Sequence, residues 1–323
     1  MSFVVRAPGE AEPPPGRAIG GEFGALAVVM RDPAVTDVFV NGGGGIWVDR
    51  GLGAVRHRPD LPEGEVREIA VRLISAGGRH VDEASPMVDV RLGDGVRVHA
   101  VLPPVATTGT YLSIRLPRLE RPTLAHLESA GFFVGCPADV VRSLVASRAN
   151  VLITGAGGSG KTTFLAALLG EAALSERIVV IEDVAELRID HPHVVALEAR
   201  QPNLEGAGEV SLPRLVRESL RMRPDRLVLG ECRGSEVRDL LAALNTGHDG
   251  GAGTLHANSL ADVPARLEAL GALAGLDATA VARQAASAIG AVLHVERTPE
   301  GRRLGAAGRF VIDDRDRLGV VAL

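Results

Sequence analysis

A glycine-rich turn between an apolar run and a helical segment constrains the fold of this chain more than any other feature. Residues 155–163 read GAGGSGKTT, follow the apolar residues 151–154 and open a helical pattern that stops at Gly170. Such a turn points successive backbone N–H groups towards one anion, and the helix N-terminus adds partial positive charge. The segment therefore predicts a strand, a phosphate-binding loop and a helix, in that order.

Two ligand classes match this turn. The glycines also fit G-x-G-x-x-G, the dinucleotide fingerprint, and Glu182 and Asp183 follow about 20 residues later, where a ribose-binding acid would lie. Lys161 and Thr162 favour a triphosphate, because a lysine reaches the β- and γ-phosphates and a hydroxyl can ligate Mg²⁺. A dinucleotide site stays the alternative. The predicted nucleotide-binding residues are Gly155, Ala156, Gly157, Gly158, Ser159, Gly160, Lys161, Thr162 and Thr163.

Acidic side chains end two apolar runs of the second half of the chain. Glu231 ends the run LVLGE at 227–231, and Glu182 and Asp183 follow the apolar residues 178–181. The C-terminal ends of parallel strands meet at one edge of a sheet, so Glu182 and Glu231 are expected to share a centre beside the phosphate loop. There Glu231 would orient a water or hold the Mg²⁺ shell. A solvated glutamate at a strand end is the alternative.

A second glycine-rich loop carries two histidines. Residues 246–258 read TGHDGGAGTLHAN and include His248 and His256. A histidine beside a nucleotide can hydrogen-bond a phosphate or the active-site carboxylate and so respond to hydrolysis. An ordinary loop histidine is the next interpretation. A metal site ranks last, because no third ligand is nearby in the sequence.

The first third of the chain predicts a small α+β domain with a mostly antiparallel sheet. Two short apolar runs flank the glycine-rich turn at 41–45, a hairpin signature, and residues 65–76 have helical apolar spacing. Further strands are expected at 88–92, 96–101 and 111–116. Arg97 and Arg115 alternate with apolar residues, so they project from the polar faces of their strands. They could reach a phosphate, although on these residues alone a solvated face is the favoured interpretation.

Composition limits the remaining possibilities. The net charge of −5 does not suit a general coat of duplex DNA, and the two cysteines, Cys136 and Cys232, exclude a disulfide scaffold and a four-cysteine zinc site. No apolar stretch is long enough to span a bilayer and no signal peptide is visible, so a cytosolic location is expected. The predicted organisation is a disordered tail, an α+β domain, a linker with a short helix, and an α/β domain, over residues 1–18, 19–116, 117–136 and 137–323.

The motifs, taken in order, resemble those of the type II/type IV secretion ATPase superfamily. Within it, the chain looks most like the tight-adherence (Tad, or Flp-type) pilus assembly ATPases. Beside the phosphate loop, the resemblance rests on IEDVAEL, RPDRLVLGECRGSE, TGHDGGAGTLHAN and DGVRVHAVLPPVATTGTYLSIR. The four-cysteine module of some assembly ATPases is absent, which argues against the type II secretion and type IVa extension branches.

The resemblance implies a RecA-like C-terminal P-loop domain, a smaller N-terminal α+β (PAS-like) domain and a hexameric ring that binds ATP and Mg²⁺. It implies catalytic roles for Glu231, Glu182, His256, Arg97 and Arg115, and Mg²⁺ held by Thr162 and, through water, by Asp183 and Glu231. Expected partners are further copies of the chain and inner-membrane platform proteins at the cytoplasmic face, without direct nucleic-acid contact. A conjugative DNA-transfer ATPase and a nucleotide-gated scaffold without hydrolysis are the alternatives.

Overall fold

A computed structural model describes residues 19–43, 45–117, 122–200 and 207–323 of the chain. The chain divides into two units, Met1–Glu120 and Arg121–Leu323. The predicted disordered tail at 1–18 lies outside the described residues. Within the described part, no helix has the length and apolar character needed to cross a membrane.

The N-terminal unit is built on an antiparallel sheet, whose six described strands lie in the order β3-β2-β1-β6-β5-β4. Two 3-10 segments, Gly21–Leu26 and Gly93–Gly95, accompany it. Its helices are α1 (Ala27–Met30) and α2 (Glu63–Ala76). Its strands are β1 (Asp37–Asn41), β2 (Gly45–Asp49), β3 (Ala54–His57), β4 (Met87–Arg91), β5 (Arg97–Val101) and β6 (Tyr111–Arg115).

Helix α2 forms because its apolar residues recur every three or four positions and face one side. It packs on β4, β5 and β6, and residues such as Ile69 and Leu73 are fully buried there. Alternate residues of β5 and β6 are buried against it, whereas Arg97 is half-buried and Arg115 exposed on the other face. The predicted hairpin, the helix and the alternation of these strands are confirmed.

The C-terminal unit contains a mixed sheet, with eight described strands in the order β14-β13-β12-β7-β11-β10-β8-β9. The six from β12 to β9 run parallel, and β13 and β14 are antiparallel to their neighbours. The strands are β7 (Val151–Gly155), β8 (Ile178–Glu182), β9 (Val194–Glu198), β10 (Arg226–Cys232), β11 (Ala252–His256), β12 (Ala291–Thr298), β13 (Gly301–Ile312) and β14 (Leu318–Ala322).

Helices cover both faces of this sheet, as strands that are apolar on both sides require. One core joins Val151, Ile153 and Val180 to helices α3–α5, and the opposite core joins Leu152, Ile181 and their neighbours to α6–α9. A 3-10 turn, Leu220–Met222, follows α6. The helices are α3 (Leu124–Ser129), α4 (Ala138–Ala146), α5 (Lys161–Leu169), α6 (Leu212–Ser219), α7 (Glu236–Leu244), α8 (Val263–Leu273) and α9 (Ala278–Ala288).

The segment expected as a linker is, over its described residues 122–136, packed into the C-terminal unit. It contains the short helix α3, and Leu124 and Phe132 are buried. Leu304 of β13 donates its N–H to the carbonyl of Phe132 at 2.7 Å, and Gly135 donates to the carbonyl of Leu304 at 2.8 Å. This segment therefore packs against β13, a role that was not predicted from its sequence.

Four strands were not predicted from the sequence: β3, β9, β13 and β14. Strands β3 and β9 lie at sheet edges and none of their residues is buried, although β9 carries the apolar residues 194–197. Strand β13 is rich in glycine and arginine, and it is held in the sheet by pairing with β12 and β14. Edge and hairpin strands of this kind are set by tertiary pairing rather than by local sequence.

Candidate functional site

Four neighbouring parallel strands deliver the predicted site residues of the C-terminal unit to one edge of the sheet. Their spatial order is β7, β11, β10 and β8. The glycine-rich loop follows β7, His256 ends β11, Glu231 is the penultimate residue of β10, and Glu182 ends β8. This edge is where α/β sheets bind ligands, in the crevice beyond the carboxyl ends of the strands.

The loop after β7 has the backbone of an anion cradle. Gly158 and Gly160 have φ of 70° and 101°, values that side chains with a Cβ rarely adopt. Gly160 is the N-cap of α5, and no described side chain caps the first N–H groups of this helix. Ala156, Gly157 and Gly158 are exposed at the crest of the loop. The N-terminus of α5 is therefore open to an anionic ligand.

Lys161, the first residue of α5, is buried and turned back onto its own loop. Its Nζ donates to the carbonyl oxygens of Gly155 at 3.0 Å and Ala156 at 2.9 Å, and lies 3.3 Å from Nδ1 of His256. Burial lowers the pKa of Lys161, and the nearby charge of Glu231 opposes that shift. These three contacts match the three donors of an ammonium group, so a phosphate would have to exchange with them.

His256 connects Lys161 to Glu231. Its Nε2 lies 3.3 Å from Oε1 of Glu231, and both side chains are nearly half-exposed. Burial lowers the pKa of His256, as does Lys161, while Glu231 raises it. A neutral ring that accepts from Lys161 at Nδ1 carries its proton on Nε2 and donates it to Glu231. Lys161, His256 and Glu231 thus form a continuous polar chain, which we call the Lys–His–Glu chain.

The acidic loop after β8 is held differently. Glu182 is 5% exposed, and its Oε1 accepts hydrogen bonds from the backbone N–H groups of Glu186 and Leu187, each at 3.0 Å. Asp183 forms an ion pair with Arg233, which follows β10. In this structure Glu182 organises its own loop, and the Asp183 carboxylate that was expected near Mg²⁺ joins two loops of the sheet edge.

The donor set at the loop suits Mg²⁺ rather than a transition metal. Among the described residues, no group of three or more His, Cys, Asp and Glu side chains could hold a metal ion. Mg²⁺ is commonly bound by one or two protein oxygens together with phosphates and water. Half-buried Thr162 on the first turn of α5, with Asp183 and Glu231 at the same edge, provides oxygens of that kind.

A buried polar layer beneath the loop was not predicted. Thr154, which precedes Gly155, hydrogen-bonds through Oγ1 to Nδ1 of His294 on β12 at 2.9 Å, and Thr254 Oγ1 donates to the carbonyl of Gly230 at 2.5 Å. Burial lowers the pKa of His294, so the neutral ring is favoured. The sequence feature that could have indicated this layer is His294, which lies inside the otherwise apolar run at 292–295.

His248 is not part of this constellation. It precedes β11, whereas His256 ends it, so the two histidines lie at opposite ends of the strand. The Nδ1 of His248 lies 3.2 Å from the carbonyl oxygen of Ala243 at the end of α7.

Arg97 and Arg115 lie next to each other in the N-terminal unit. They are cross-strand partners on β5 and β6, and the Arg97 guanidinium is 4.0 Å from the carboxylate of Asp89. Cross-strand partners project from the same face of a sheet, so the two arginines form one basic patch. Their action on a phosphate stays a prediction.

The chain matches the family described as Type II/IV secretion system protein over residues 22–298. It belongs to this family. The match includes the phosphate loop, both acidic motifs, the histidine motif and the segment with Arg97 and Arg115. The family prediction made from these motifs is confirmed.

Curated relatives agree with this membership. The putative conjugal transfer protein Rv3659c of Mycobacterium tuberculosis is 51% identical over 287 residues, which cover 87% of this chain and 82% of that protein. The probable conjugal transfer protein TrbB of Sinorhizobium fredii is 31% identical, over 86% and 84% of the two chains. The type IV secretion system protein VirB11 of Brucella suis is 30% identical, over 80% and 78%.

Solved structures of the same fold include a pilus retraction motor and an ATPase. The pilus retraction motor PilT with bound ADP matches with a TM-score of 0.62 and 22% identity, over 88% of this chain and 81% of that chain. The ATPase DotB of Legionella pneumophila matches with a TM-score of 0.58 and 19% identity, over 88% and 79%. The predicted fold is confirmed: an α/β chain with a RecA-like C-terminal P-loop domain and a smaller N-terminal α+β, PAS-like domain.

Proposed function

We propose that this protein is the ATP-hydrolysing motor of a Tad-type pilus or a related type II/IV secretion machine. The observation that carries the proposal is the Lys–His–Glu chain at the mouth of the glycine-rich loop. It places a cation, a neutral histidine and a half-exposed carboxylate in hydrogen-bond sequence beside an uncapped helix N-terminus. A pure phosphate-binding module has no need of the carboxylate at the end of that chain.

Each group has a distinct task in this proposal. The backbone N–H groups of residues 155–163 and the ammonium of Lys161 bind the phosphates, and Glu231 orients the attacking water and accepts its proton. Thr162 and, through water, Asp183 and Glu231 would hold Mg²⁺, which would neutralise charge on the phosphates. Glu182 supports catalysis through the loop that it organises. His256 passes the state of the phosphate site to Glu231, because it contacts both Lys161 and Glu231.

The motor output is proposed to come from motion between the two units. Arg97 and Arg115 of the N-terminal unit sense the γ-phosphate, and the units close on ATP and reopen after hydrolysis. Family membership supports a ring of identical subunits, six in number, that acts on inner-membrane platform proteins from the cytoplasmic face. ATP and Mg²⁺ are the ligands in this proposal, and no direct nucleic-acid contact is included.

ATP turnover of the purified chain and of Lys161→Ala tests the proposal. The wild type is expected to release phosphate from ATP only when Mg²⁺ is present. Lys161→Ala is expected to show no detectable turnover, because the ammonium group that binds the phosphates is gone. Arg148→Ala, on the loop after α4, is a control with a basic side chain outside the site. Binding of a nicotinamide dinucleotide in place of ATP would establish the dinucleotide alternative. ATP-dependent ring formation without phosphate release would establish a scaffold.

A second candidate is an ATPase of conjugative DNA transfer. It is favoured by the names of the relatives that are 51% and 31% identical, both of which refer to conjugal transfer. Deletion of the gene separates the two: loss of surface pili or of secreted protein supports the first candidate. A fall in plasmid transfer frequency with pili intact supports the second.

A further inference from the structure

The β12–β13 hairpin places an arginine on the outside of the glycine-rich loop. Arg302, the second residue of β13, donates from Nε to the carbonyl oxygen of Gly158 at 3.2 Å. Its side chain also runs close to Gly160, where an added Cβ would lie 2.9 Å from the Cδ of Arg302. The chain separation between the two partners is 144 residues, so this contact depends on the tertiary fold.

The peptide that Arg302 holds is fixed at both ends. Its carbonyl, on Gly158, accepts from Arg302, and its N–H, on Ser159, donates to the carbonyl of Ala156 at 3.3 Å. Because the peptide group is planar, holding the oxygen on one side fixes the direction of the N–H on the other. The hydrogen bond from Arg302, which we call the clamp, therefore restrains the part of the loop in which Gly158 and Gly160 have positive φ.

The strand that carries Arg302 is rigidly mounted. Two residues further on, Leu304 is hydrogen-bonded to Phe132 and Gly135 of the segment before α4. Phe132 and Phe133 of that segment pack on Phe164 of α5, with ring centroids 5.0 and 6.2 Å from the Phe164 ring. The same segment thus contacts both the helix that follows the loop and the strand that holds the loop from outside.

We propose that Arg302 is a positioning residue that preorganises the glycine-rich loop for its nucleotide. The proposal rests on the nucleotide-binding function stated above. A loop of glycines loses much conformational freedom when it wraps a ligand, and a clamp present before binding reduces that cost. Arg302 acts through Gly158 and takes no part in the chemistry of Glu231, so its effect falls on ATP affinity rather than on turnover.

Steady-state kinetics of four proteins test this role. Relative to the wild type, Arg302→Ala is expected to raise the KM for ATP about five- to tenfold, the effect of losing about one charged hydrogen bond in a partly exposed setting, with kcat within about twofold. Arg302→Lys keeps a charged donor and is expected to recover most of the affinity. Arg303→Ala is the matched control, because Arg303 lies next in the strand and pairs with Glu296 instead.

The outcomes are separable. A KM for Arg302→Ala equal to that of Arg303→Ala overturns the inference, as does a loss confined to kcat. A loss of affinity that Arg302→Lys does not recover, accompanied by a lower melting temperature, assigns Arg302 to the fold and also overturns it. If the wild type itself neither binds nor hydrolyses ATP, the failure belongs to the proposed function.

Discussion

Two acidic regions lie at the same sheet edge, and their side chains are held in different ways. Glu231, the penultimate residue of β10, is 44% exposed and bonded to another side chain, His256, which is 43% exposed. Glu182, the last residue of β8, is 5% exposed and bonded to two backbone N–H groups of the loop that follows. A carboxylate of the first kind can exchange its partner for water or a ligand at little cost. One of the second kind cannot do so as easily, because its departure leaves two partly buried N–H groups without their acceptor.

The cations beside these acids also differ in their partners, although here it is Lys161 that is buried and Arg233 that is half-exposed. Lys161 is bonded to two loop carbonyls and His256, contacts that a phosphate can replace. Arg233 is paired with Asp183 across two loops. The Lys–His–Glu chain is therefore the exchangeable part of the edge, and the loop after β8 is the part that supports it. Substitutions in the two parts are expected to affect different measured quantities.

The largest expected effect is that of Glu231→Gln. The amide keeps the shape of the side chain but cannot accept a proton from water, so kcat for ATP should fall about 10²- to 10³-fold. The melting temperature should stay within about one degree, because Glu231 is near the surface. Phosphate-release assays and thermal unfolding of the same sample measure both. Glu186→Gln is the control within the other acidic motif, and equal losses in the two variants would erase the proposed contrast.

The next effect is that of Glu182→Ala on stability. Removal of the acceptor leaves the N–H groups of Glu186 and Leu187 without their partner, which should lower the free energy of unfolding by about 1–3 kcal/mol. Urea titration measures this. Glu182→Gln retains an amide oxygen and should recover part of the stability with kcat within about threefold. A large loss of kcat in a stable Glu182→Gln protein would instead establish the predicted catalytic role of Glu182.

Local pattern allowed prediction of the features that depend on local backbone geometry. The loop at Gly158 and Gly160 was predictable because its φ values favour glycine. The strand ends were predictable to within a residue, at Glu182 and next to Glu231, because apolar runs stop there. A histidine bonded to the active-site carboxylate was among the expectations from the sequence, but the contact between His256 and Lys161 was not. Lys161 and His256 are 95 residues apart, so only the order of the strands in the sheet brings them together.

The same limit explains the missed support of the site. Arg302 is on a strand without an apolar run, and Phe132 lies in a segment that reads as a linker. Arg302 reaches the loop through the position of its strand, and Phe132 through its pairing with that strand and its packing on Phe164. Contacts of this kind follow from the assembled fold, for which single-sequence periodicity carries no signal.

The smallest expected effect concerns the Asp183–Arg233 ion pair, which links the two regions. Its side chains are 26% and 51% exposed, so solvent weakens the attraction and the coupling energy should be about 0.2–1 kcal/mol. A double-mutant cycle with Asp183→Asn, Arg233→Gln and both together, followed by urea unfolding, measures it. The coupling should shrink in about 1 M salt, where the screening length is about 3 Å. A coupling above about 2 kcal/mol that salt does not reduce would mean that the two loops form one rigid unit, and the division between exchangeable and supporting parts would then fail at this pair.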